Sequence, residues 1–137
     1  MNNHWHTNYR ADQEGPTVFR FAIRPHGKFA SEEAARFGVA CSQPLIVTKA
    51  TDHRKETPRL KLSSDKVLVS ALKPSDDGKA TIVRLFGASG RNEKVKLSFS
   101  DPAPARIWLS DTSERAKAPA SNTVEVPGWG IVTLRVE

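Results

Sequence analysis

From Arg59 to the end, the chain is a succession of short apolar runs separated by turn residues, and this pattern constrains the fold more than any other feature. Leu60 and Leu62 alternate with polar neighbours. Val67–Leu72 is dense and apolar, and Pro74-Ser75-Asp76-Asp77-Gly78 ends it. The Asp-Gly pair suits a backbone that must take a positive φ. Ala80–Phe86 follows, then a second turn over Gly87–Asn92, read as a hairpin loop, and Val95–Phe99 alternates with period two. Asp101-Pro102-Ala103-Pro104 interrupts. Arg106–Leu109 reads as a strand and Asp111–Asn122 as a polar loop, with Ser110–Ser121 expected to be mobile. Thr123–Val126 and Ile131–Val136 close the chain around Pro127-Gly128. Short strands at regular spacing with turns between them predict an antiparallel β-sandwich.

The first part is mixed. In Thr17–Arg24, Phe19, Phe21 and Ile23 fall on one face and Val18, Arg20, Ala22 and Arg24 on the other, the alternation of a half-buried strand. Ser31–Gly38 predicts the one helix: Ser31 as its cap, Glu32 and Glu33 at its positive end, and an extension toward Gln43 that Pro44 stops. Leu45–Thr48 reads as another strand. The predicted class is therefore mainly β, an antiparallel sandwich with one short helix, divided near Pro58 into residues 1–57 and 58–137.

Length and composition narrow the function. A chain of 137 residues cannot hold a β/α barrel. Lys and Arg number 21 against 15 Asp and Glu, a net +6, but the cations are scattered among acids even in the dense Lys49–Lys61 stretch. No basic helix face and no aromatic pair in a basic strand points to a nucleic-acid partner. No apolar run approaches the roughly 18 residues of a membrane helix. With Cys41 the only cysteine, neither an internal disulfide nor a cysteine zinc site can form.

Motifs for catalysis are thin. Gly87-Ala88-Ser89-Gly90 misses the nucleophile-elbow spacing by one residue. His4 and His6 would lie on one strand face about 6.5–7 Å apart, with no third metal ligand in evidence. The paired acids Glu32-Glu33 and Asp76-Asp77 are accounted for by a helix start and a turn. No catalytic or metal-binding residue is assigned. Aromatic side chains offer more, because an exposed ring stacks on the apolar face of a sugar. Trp5, Tyr9 and Trp129 are candidate carbohydrate platforms, with Asn3 and Asn8 as hydrogen-bonding neighbours. Trp108, inside an apolar strand, is expected in the core.

Several blocks carry a resemblance. Met1-Asn2-Asn3-His4-Trp5-His6-Thr7-Asn8-Tyr9, then Gln13-Glu14-Gly15, Phe19-Arg20-Phe21, Ala34–Gly38 and Pro44-Leu45 follow in order. Val69-Ser70-Ala71-Leu72-Lys73-Pro74-Ser75-Asp76-Asp77-Gly78 with Ile82–Phe86 is the most specific block, and Ile131–Val136 ends the series. Together they resemble the C-terminal part of glycoside hydrolase family 38 α-mannosidases. The resemblance implies a zinc-dependent, retaining parent enzyme whose catalytic barrel lies upstream. Residues 1–57 would then end its large β-sandwich region, and residues 58–137 would form a small terminal β-domain. On this reading Met1 is an internal methionine, and the zinc and the nucleophile match no position here. The implied partners are the remaining domains of the parent. Self-association through an uncovered apolar surface and carbohydrate binding complete the expectations.

Overall fold

The computed structural model describes residues 15–43, 46, 47, 49 and 58–137. Among the described residues there are eight strands, between Leu60 and Val136: β1 (Leu60–Leu62), β2 (Val67–Pro74), β3 (Thr81–Gly87), β4 (Glu93–Phe99), β5 (Ile107–Ser110), β6 (Ala118–Ala120), β7 (Thr123–Val126) and β8 (Ile131–Val136). They form two antiparallel sheets, one of three strands in the order β1-β4-β7 and one of five in the order β2-β3-β8-β5-β6. The protein is a mainly β, antiparallel sandwich, with one helix among the described residues, α1 (Ser31–Ser42).

Alternation decides which side chains meet between the sheets. Val83 and Leu85 of β3, Val95 and Leu97 of β4, Val126 of β7 and Leu134 of β8 are essentially sealed from solvent, with Val67, Val124 and Val136 beside them. Each such side chain stabilises the fold by about 1.5–3 kcal/mol relative to exposure. A bulge between Val69 and Ala71 shifts the β2–β3 register. The bulged Ser70 donates its hydroxyl to the Arg84 carbonyl at 3.1 Å.

The Gly87–Asn92 turn, expected to be a hairpin loop, crosses between the sheets instead, and so does the turn at Pro127-Gly128. β3 and β4 lie in different sheets, as do β7 and β8, so Ala88–Asn92 and Pro127–Gly130 are crossovers. They pack on each other. The Gly87 amide donates to the Gly130 carbonyl at 3.0 Å, the Trp129 amide to the Gly87 carbonyl at 2.8 Å, and the Gly128 amide to Asn92 Oδ1 at 3.2 Å. A Cβ on Gly87 would fall on the Pro127 carbonyl, and one on Gly128 on the Gly90 carbonyl. Glycine is required there by close backbone approach.

Four further expectations change. Thr17–Arg24 is irregular rather than a strand, with no ladder partner among the described residues, and Val18, Phe19, Phe21 and Ile23 are exposed. Alternation suits a residue set to a sheet but cannot supply the neighbouring strand. Ile46 and Val47 are likewise exposed and unpaired, while Leu45 and Thr48 lie outside the described residues. Ser31 falls one position inside α1. Ala30 occupies the cap with no side-chain bond, and the Ser31 hydroxyl turns to Glu32 Oε2 at 3.3 Å. Finally, the polar stretch Asp111–Asn122 contains β6, an edge strand at the end of its sheet, where Pro119 removes no needed ladder bond.

Candidate functional site

The outer face of the five-stranded sheet carries the densest polar cluster among the described residues, and Arg135 of β8 is its centre. Register places Arg135 opposite Ile82 on one side and Trp108 on the other. Its neighbours Leu134 and Val136 point into the core, so Arg135 must point out. It is nevertheless buried, because the Ser75–Ala80 turn and the Asp111–Lys117 loop fold over it. Arg135 Nε donates to Glu137 Oε1 at 2.9 Å, Nη1 to the Glu114 carbonyl at 3.0 Å and Nη2 to Asp77 Oδ2 at 3.0 Å.

Each partner is itself held. Asp77 Oδ1 accepts from the Ser75 hydroxyl at 2.6 Å and the Lys79 amide at 3.0 Å. Glu114, buried and left-handed at φ 59°, accepts from the Asp76 amide at 2.9 Å and pairs with Lys73 Nζ at 2.5 Å. Lys73 also pairs with Asp76 at 2.9 Å. Glu137 Oε2 accepts from Trp108 Nε1 at 3.3 Å and pairs with Arg106 at 3.2 Å. Asp111 takes the Ser113 amide at 2.9 Å and an ion pair with Lys117, which closes the loop.

These contacts set the charge states. The Ser75 hydroxyl, the Lys79 amide and then Arg135 hold the Asp77 carboxyl well below the usual carboxylate range. Arg135 lowers Glu137, Lys73 lowers Asp76, and Lys117 with Ser113 lowers Asp111. Glu114 and then Asp76 raise the Lys73 ammonium, and Glu137 and then Asp77 raise Arg135. Carboxylates held ionised this firmly are unsuited to general acid chemistry, which needs a proton available near neutral pH. All three guanidinium nitrogens are engaged, so no fork remains to grip an anion. Chemically the cluster is a fastening: it straps the Asp111–Lys117 loop, expected to be mobile, across the sheet.

Trp129 stands at the opposite end. It is a bulky residue at φ 58° and is 59% exposed. Its ring lies over Gly90, where a Cβ would come within 2.7 Å of Nε1, and its centroid is 6.3 Å from that of Phe86. Trp108 is not in the core as expected; it is half-buried on the outer face with its N–H on Glu137. Trp5, Tyr9, Asn3 and Asn8, with His4 and His6, lie outside the described residues.

A third feature is a cleft of about 750 Å³ where the sandwich opens at the far ends of β1, β2 and β4. Leu60, Leu72, Phe99 and Val136 line its apolar wall, with Arg59, Thr81, Ser100 and Asp101 at the rim.

The strand order and the residues it closes over now bear on kinship. A family model described as the glycosyl hydrolases family 38 C-terminal beta sandwich domain matches residues 66–134. The chain belongs to that family. The matched span runs from β2 to Leu134 within β8, and so takes in both crossovers of this family 38 domain and its five-stranded sheet except the last residues of β8, among them Arg135. No curated protein and no solved structure matches the chain. Sequence reasoning missed the cluster because its members are far apart in the chain. The one local signal was a charged residue, Arg135, in the largely apolar closing strand Ile131–Val136.

Proposed function

We propose that this chain is the non-catalytic C-terminal region of a longer α-mannosidase-type glycosyl hydrolase, with a structural or cleft-shaping role. Residues 1–57 would end the preceding β-sandwich region and residues 58–137 form the terminal domain. Its partners are the remaining domains of that enzyme. The observation that carries the reading is the family 38 match over the sandwich. The Arg135 cluster supports it, because acids locked as ionised struts serve architecture better than proton transfer.

The parent chemistry implied by the resemblance uses zinc. Among the described residues no group of three or more His, Cys, Asp or Glu could hold a metal ion. The clustered carboxylates are already tied to Arg135, Lys73 and Lys117. These residues do not fit zinc, and the ion would belong to another part of the enzyme. The test is an assay of the chain with an aryl α-mannoside and added zinc. No turnover is expected, and turnover above background overturns the reading.

Trp129 favours a second reading, a carbohydrate-binding module. A left-handed aromatic held over a glycine and left open is a conformation that costs energy and presents a flat face. Titration with mannose and mannobiose under tryptophan fluorescence decides it. A saturable change that Trp129→Ala removes supports a platform, and a flat titration dismisses it.

A further inference from the structure

The three-stranded sheet ends at β1, and no strand among the described residues pairs with its outer edge. The Ser100 amide donates to the Arg59 carbonyl at 3.1 Å and the Ser63 amide to the Lys96 carbonyl at 3.0 Å. Arg59 and Ser63 therefore turn their backbone groups toward β4. Since bonding alternates along an antiparallel strand, the amides and carbonyls of Leu60 and Leu62 face outward. Beneath this edge, Leu72 sits on the core-facing side of β2, opposite Val83, yet it is 52% exposed. The core thus runs out into the cleft beside β1, where a further strand would cover it.

The same chain carries a segment patterned as a strand with no ladder partner among the described residues. Thr17–Arg24 has period-two alternation, and Val18, Phe19, Phe21 and Ile23 are 74, 53, 86 and 90% exposed. Its end is anchored away from the cleft: Arg24 pairs with Glu33 of α1 at 3.5 Å and lies over the Phe37 ring. Helix α1 in turn reaches the Asp65 carbonyl through Arg36, at the crossover end of the sandwich. No residue of α1 is buried.

We infer that the Thr17–Arg24 segment of one copy adds as a strand to the outer β1 edge of a second copy, with Phe19, Phe21 and Ile23 turned into the cleft over Leu72. The exchange is reciprocal. Each copy donates one strand and accepts one, which closes a two-fold dimer with the β1 edge of each copy covered. The inference rests on the edge and the strand and stands apart from the enzymatic reading. It has a salt signature. With the phenylalanines inward, Arg20 faces outward beside Lys61, so like charges oppose the pairing and added salt strengthens it.

The test combines sedimentation with hydrogen exchange on the full chain across a concentration series. A dimer is expected at high concentration, favoured by salt. Amide protection at Leu60, Leu62 and Thr17–Ile23 should rise in step with the dimer fraction. The double variant F21E/I23E should be monomeric and keep the thermal midpoint that the parent shows at concentrations where it too is monomeric, because both side chains are exposed in the monomer. A monomer at every concentration overturns the inference. So does a dimer that survives F21E/I23E, a dimer that leaves Leu60 and Leu62 exchanging freely, or protection that ignores concentration, which would mean pairing within one chain.

Discussion

Replacing Gly128 with alanine tests whether the stacked crossovers hold the sandwich together. The control is Gly78→Ala. Gly78 takes φ 68° in the β2–β3 turn, and a Cβ there meets nothing within 4 Å. Its alanine pays only for the left-handed conformation, about 1 kcal/mol. Gly128 has no positive φ, so its alanine pays nothing of that kind. It pays in overlap: the new Cβ would lie on the Gly90 carbonyl and 2.6 Å from the Arg91 amide nitrogen. Neither obstacle can rotate away, because both are backbone. Relief requires the two crossovers to part, stretching the Gly87–Gly130 and Gly87–Trp129 hydrogen bonds that join them. Overpacking against a rigid neighbour costs about 3 kcal/mol or more. At 4–8 °C per kcal/mol for a domain of this size, the midpoint should fall roughly 4–8 °C for Gly78→Ala and roughly 12–24 °C for Gly128→Ala. Circular dichroism melts of the two variants and the parent decide it. A Gly128→Ala midpoint at or above that of Gly78→Ala refutes the reasoning.

Core truncation should track burial: Leu134→Ala costs about 3–5 kcal/mol in urea unfolding, and Leu72→Ala, half exposed at the cleft, about 1 kcal/mol. For pH, the folded Asp77, Asp76 and Glu137 titrate lower than in the unfolded chain. Groups depressed on folding contribute stability that is fully present above their unfolded values, near 4, and is lost as pH falls through their folded ones. Melting temperature should therefore hold from pH 7 to about 5 and drop below about 4, with a shallower drop in Arg135→Gln. An acid profile that Arg135→Gln leaves unchanged would remove Arg135 from that role.

Much of the sandwich could be read from residues alone, for a physical reason. Where a strand has one face buried, alternation is enforced residue by residue, so β2, β3, β4, β5 and β8 stood out. What connects them did not. The turn residues at Gly87–Asn92 and Pro127–Gly128 report a change of direction and say nothing of which sheet the next strand joins. β6 escaped because three residues containing Pro119 carry no period. Thr17–Arg24 carries the period without the partner. The Arg135 cluster joins positions such as Asp77 and Glu114 that only the folded sheet brings together, and Trp129 was flagged for its chemistry without any sign of its left-handed backbone.

One consequence lies in the strand order. β8 is the middle strand of the five-stranded sheet, between β3 and β5, although it comes last of the described strands in chain order. A nascent polypeptide halted before Ile131 holds two separate ribbons, β2-β3 and β5-β6, with no backbone to join them and Val83, Leu85 and Val136 unable to meet. Such ribbons are marginal in water on their own. At about 5–20 residues per second, synthesis takes several seconds to pass from β2 to β8. The apolar strands stay uncommitted for all of that interval, and folding becomes a single late event rather than one that proceeds along the chain.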